Sequence, residues 1–193
     1  SFSANGQDEP VFAFLNNQAG RVALRPVHSY KYEVAQGVFK DLLQARGDWR
    51  QQPPDLVMND GKRFVAWMDP LKVQIGLEEK AYDVCAAMGA DSLTALAALL
   101  AHELIHYYEK HDWSRNFVHL NQPLDAARQI KALDEGIKQE TQADCLGGFL
   151  AFSAGYQVYG LMPRLLEALY ADYGLPEALP GYPGLDERVQ IST

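Results

Sequence analysis

The stretch HELIHYYEKH, His102 to His111, sets two histidines four residues apart with a glutamate directly after the first. On a helix, side chains at i and i+4 are neighbours, about 5–6 Å apart at Cβ. Two imidazoles so placed can converge on one metal ion. Glu103, partway round the helix from His102, can reach a water on that ion without ligating it. The chain holds only five histidines, so the pairing on one helical segment carries weight. The competing reading is a buried helix whose histidines are satisfied by neighbours. A working zinc site needs a third protein ligand, and the rest of the chain is searched for it.

The helix that carries the motif starts at Asp91 or Ser92 and runs to about Lys110. Leu93, Leu96, Leu100, Leu104 and Tyr107 make its core stripe, while His102 and His106 lie above Ala95, Ala98 and Leu99. That ligand face is lined with small residues and admits a close neighbour. Upstream, residues 1–26 read as loop and short extended pieces. Val34, Val38, Phe39 and Leu42 recur at helical spacing within a helix from about Val27 to Arg46, stopped by Gly47. DLVMND and RFVAWMD, joined through Gly61, read as a hairpin. LKVQIGL alternates, with Leu71, Val73, Ile75 and Leu77 on one face of a half-buried strand. A short helix from Glu79 to Met88 ends at Gly89. Downstream, helices span about Leu124 to Ala154, closed by Gly155, and Tyr159 to Tyr173, closed by Gly174. The expectation is a single α+β domain over 1–193, mostly helical, with a small antiparallel or mixed sheet beside the HExxH helix.

Several residues compete to be the third ligand. Asp112 falls where another metallopeptidase pattern carries a late ligand, but Glu109 stands where that pattern needs glycine, so Asp112 reads as polar surface. His111 and His119 read as loop residues, and His28 is remote in sequence. The stronger candidate lies in QETQADCLGG, where Glu140 and Asp144 are four apart and Ala143, Gly147 and Ala151 continue a small-residue face. Packed on the alanine-lined face of the first helix, Glu140 would complete His102, His106 and Glu140 with a fourth position open. Asp144 would accept the outer N–H of a ligating histidine, His102 being favoured. The alternative for both carboxylates is a solvated helix face with Lys138 as partner.

HELIH, then ETQADCLG, then FSAGY resembles the gluzincin zinc metallopeptidases typified by HtpX, the CaaX prenyl endopeptidases and the BepA-type periplasmic proteases. The likeness covers about Pro54 to Val189 and includes the KVQIGL approach to the motif helix. It implies a zincin-like fold and one zinc per chain on His102, His106 and Glu140. It also implies peptide-bond hydrolysis through a zinc-bound water, with Glu103 as general base. The family's late His-Pro stands here as Tyr182-Pro183, and Arg188 matches its arginine. Tyr182 can donate to an oxyanion in the histidine's place, or it is a loop aromatic and activity is narrowed or lost. The alternative function is therefore a zinc-binding but inactive or latent domain that acts as a binding or assembly factor. A metal-free structural protein is the third option. The substrate expected is a protein or peptide, and an extended one would add to an edge strand, RFVAWMD or LKVQIGL.

Composition narrows the rest. A formal charge of -8 and no basic stripe speak against nucleic acid. Cys145 to Pro163 is free of charge but holds four glycines and a closing proline, so it reads as a buried helix and turn rather than a membrane span. Cys85 and Cys145 read as buried free thiols, with a disulfide as the other option. The start at Ser1 and the end at RVQIST read as trimmed. An extracytoplasmic bacterial setting, periplasmic or secreted, fits the resemblance, with the cytoplasm as its rival.

Overall fold

The computed structural model describes residues 24–109 and 126–174, with backbone alone over 126–137. The chain order is α1 (Tyr30–Arg46), β1 (Asp55–Asn59), β2 (Ala66–Asp69), β3 (Gln74–Glu78), α2 (Glu79–Ala86), α3 (Ser92–Tyr108), α4 (Ala126–Ser153) and α5 (Leu161–Tyr173). The fold is α+β and mostly helical, with one three-stranded mixed sheet.

Some helix ends have a local cause. Ser29 caps α1 by accepting the Lys31 N–H, and Gly47 closes it in the left-handed region. Asp91 precedes α3 but gives no side-chain cap. Its carboxylate takes an Arg164 N–H from α5 at 2.6 Å instead. Gly155, at φ 96°, ends α4, and the Tyr156 N–H returns to the Ala151 carbonyl across the turn.

The sheet corrects the expected hairpin. Its order is β1-β3-β2: β3 lies between the other two, parallel to β1 and antiparallel to β2. The Asp60-Gly61 step is a turn signal, but it does not pair β1 with β2. Leu56, Met58, Ala66, Met68, Ile75 and Leu77 share the core face, in register across all three strands. On the opposite face Trp67 lies over Gly76, where any Cβ would collide with the indole. β3 is therefore covered on both faces, not half-buried.

The strand also starts later than alternation suggests. Leu71 is 79% exposed and Val73 has φ 56°, so the run breaks there and begins again at Gln74. Asp69 holds the intervening turn by accepting the N–H groups of Leu71 and Lys72.

α3 runs through the middle of the molecule. Every residue from Ala95 to Tyr108 is buried, against α1, α2, α4, α5 and the sheet. Both the apolar stripe of α3 and the small-residue face that carries the histidines are covered, the latter by α4 as the sequence suggested. Leu93, assigned to its core stripe, is 48% exposed because it sits in the first turn. Both cysteines are free, as read, but only Cys85 is buried; Cys145 faces solvent from α4. The stretch from Cys145 also exposes Phe149, Phe152 and Tyr159, so it is not a wholly buried helix. No helix among the described residues is long and apolar enough to cross a membrane.

Candidate metal centre

Helix α3 presents His102 and His106 one turn apart, with Nε2 atoms 3.0 Å from each other and ring planes at 77°. Helix α4 crosses directly over them. The crossing is close because Gly147 faces the backbone of α3: a Cβ there would stand 3.0 Å from the His102 N and 3.1 Å from its Cα. Ala143 and Ala151, on the same face, are fully buried. Small residues at 143, 147 and 151 thus bring α4 close enough for its carboxylates to reach the imidazoles.

Glu140 reaches both. Its Oε2 lies 3.4 Å from His102 Nε2 and its Oε1 lies 3.2 Å from His106 Nε2. Asp144, one turn further along α4, places Oδ1 2.9 Å from His102 Nδ1. With Nδ1–H committed to Asp144, the Nε2 lone pair of His102 is directed to the shared centre. Glu103 is buried, with Oε1 4.0 Å from His102 Nε2. His102, His106 and Glu140 form a buried group that could hold a metal ion.

The electrostatics suit a cation. Burial works to lower the His102 pKa, but the charges of Glu140 and Asp144 outweigh it and hold the ring up to about 10. Burial likewise works against the Glu140 carboxylate, and the two histidines more than offset it, keeping its pKa well below the usual range. In the absence of a metal, a proton on His102 supplies the positive charge that two buried carboxylates require.

The sequence-derived residues divide clearly. His102, Glu103, His106, Glu140 and Asp144 come together, and the solvated-face alternative for Glu140 and Asp144 fails because both are buried. His28 is an exposed residue packed edge-on against Tyr32. Tyr182 and Arg188, together with His111, Asp112 and His119, lie outside the described residues. Sequence reasoning missed Glu78, fully buried at the end of β3. The signal was present as a charged residue closing an apolar run, but only the tertiary fold shows what it binds.

Comparison with protein-family models, curated proteins and solved structures found no match to this chain.

Proposed function

We propose that this chain is a zinc-dependent endopeptidase of the gluzincin kind, with a zincin-like fold and one zinc on His102, His106 and Glu140. The observation that carries the reading is the position of the Glu140 carboxylate, 3.4 and 3.2 Å from two imidazole nitrogens that are themselves 3.0 Å apart. Tetrahedral bonds of about 2.0–2.1 Å put neighbouring ligand atoms roughly 3.3 Å apart. An octahedral ion with bonds of that length would ask for about 2.9 Å, so separations of 3.0 to 3.4 Å admit an ion of this size and leave its identity to the donor set. The donor set, two imidazoles and one carboxylate, suits zinc better than magnesium or calcium.

A bound zinc supplies Lewis acidity, lowering the pKa of a coordinated water from about 15.7 toward about 7. With the metal bound, Glu103 would serve as general base, taking a proton from the attacking water and returning it to the leaving amine. Asp144 holds His102 in the tautomer that keeps Nε2 free for the metal. An extended substrate would pair with β2. Among the described residues β2 bonds to β3 alone, and it packs against α3. The other candidate strand, β3, is central and has no free edge. At the far side of the sheet, Pro26 bridges Asn59 and occupies the end of the β1 edge.

Metal content tests the site. About one zinc per unmodified chain and little in Glu140→Ala is the expected result. Zinc bound equally by both would remove Glu140 from the site. Glu103→Gln should keep the metal and lose peptide cleavage by at least about a hundredfold.

One observation favours the second reading, a latent or inactive zinc domain that works by binding. His102, Glu103, His106 and Glu140 are each at most 2% exposed. A peptide can reach such a centre only if it opens. A zinc-loaded chain that cleaves no peptide under any condition would favour the binder.

A further inference from the structure

Glu78 closes β3 with a fully buried carboxylate that the proposed chemistry does not use. It receives three consecutive backbone N–H groups: Arg63 at 3.2 Å on Oε2, and Phe64 and Val65 at 3.0 Å each on Oε1. Its own backbone N–H donates to the Val65 carbonyl at 2.9 Å. Both main-chain polar groups of Val65 therefore end on one residue. Val65 needs such restraint: at φ 62°, a β-branched residue occupies the left-handed region that L side chains avoid.

The surroundings are built around the carboxylate. Gly61 passes so close that a Cβ would collide with Glu78 Oε2, and the Gly61 N–H is itself held by Asn59 Oδ1 at 2.9 Å. Burial, and then the charge of Glu78, raise the pKa of the Tyr173 hydroxyl at the end of α5. The turn held in this way leads straight into Ala66, the first residue of β2.

We infer that Glu78 is a positioning residue for the substrate: by clamping residues 63–65 it fixes where β2, an outer strand that pairs with β3 alone among the described residues, begins and how it lies over α3. The inference rests on the peptidase reading and on pairing of an extended chain with β2. Glu78 touches neither metal nor reacting atoms, so it acts on the alignment of the bound chain and leaves the bond-breaking step alone. A carboxylate is needed because one acceptor group must face three N–H donors at once. A glutamine keeps one oxygen but puts an N–H₂ where the other stood, against a backbone donor.

The test compares zinc-loaded wild type with Glu78→Gln by two measurements. The first is amide hydrogen exchange resolved by segment. Faster exchange over 63–69, with the amides of α3 unchanged, is expected. Faster exchange throughout, or nowhere, overturns the clamp. The second is hydrolysis of internally quenched peptides about ten residues long. KM should rise on the order of tenfold with kcat within about twofold, since a lost bond to a charged group acts here on binding. Equal losses in kcat and zinc content mean that Glu78 only holds the fold, and overturn the inference. So does an unchanged KM.

Val65→Gly in the Glu78→Gln background removes the strain that the clamp opposes. It should bring KM back toward the wild-type value. A double variant no better than Glu78→Gln also counts against the inference. If wild type carries zinc yet cleaves nothing, the peptidase reading falls and takes the substrate role with it. Cleavage with KM unmoved by Glu78→Gln removes this inference alone.

Discussion

At the scale of single residues, Asp144 is placed so that, on the proposed metal reading, it would set the affinity for an ion it does not touch. Its Oδ1, 2.9 Å from His102 Nδ1, decides which ring nitrogen carries the proton and so which one faces Glu140. Asp144→Asn keeps the shape and removes the charge. Zinc affinity should fall about 10–100-fold with helix content unchanged, read by competition with a chromophoric chelator. An unaltered affinity would mean that the packing of α4 alone orients the ring. The two pairs of candidate-site residues were legible in the sequence because helical spacing is a local rule: His102 with His106, and Glu140 with Asp144, each follow from i and i+4. That the two pairs would meet rested on Ala143, Gly147 and Ala151 facing Ala95 and Ala98, which is a packing argument and also readable. Glu78 was not readable, because its partners are backbone N–H groups some fifteen residues away and backbone groups have no sequence signature.

At the scale of elements, the helices followed from their apolar spacing and their closing glycines, whereas the cap expected from Asp91 and the strand order did not. A turn signal reports that the chain reverses but says nothing of what inserts between the two arms. Here β3 enters between β1 and β2, pairing parallel with one along one edge and antiparallel with the other along the opposite edge, and Gly76 accepts the indole of Trp67 from β2. The contact between α3 and α4 is where an element-scale change should register at the metal. The atoms nearest a Cβ on Gly147 belong to the backbone of His102 and Ala101, which cannot swing aside. Gly147→Val should force α4 outward, costing about 1–3 kcal/mol of stability. It should also weaken zinc binding, since Glu140 and Asp144 move with the helix. Gly148 has nothing within 4 Å of its would-be Cβ. Gly148→Ala should therefore stabilise the helix by up to about 1 kcal/mol and leave zinc affinity alone. Thermal unfolding and chelator competition on both variants decide the matter. Equal zinc affinities in the two would dissociate the close approach from the site.

At the scale of the whole molecule, the centre ties the central helix to the long helix packed across it, so its charge state bears on the stability of the entire fold. Without metal, His102 has a pKa held up to about 10 against an ordinary 6.5. A group whose pKa is raised on folding adds stability that is fully present below about 6.5 and is lost as pH climbs through about 10. Glu140 has the opposite sign: its lowered pKa adds stability above its ordinary 4.5 and loses it as pH falls further. The metal-free protein should therefore be best held together, as far as this centre is concerned, between about pH 4.5 and 6.5. On the proposed zinc reading the metal would reverse the trend, because it would take the place of the His102 proton and compete better as protons become scarce. In excess chelator the unfolding temperature should drop from pH 6.5 to pH 9, while the zinc-loaded chain should hold or gain. The gap between the two curves should widen steadily over that range. A gap that stays constant, or narrows, would mean that no proton leaves the centre when the metal enters, contrary to a His102 paired on both ring nitrogens with carboxylates.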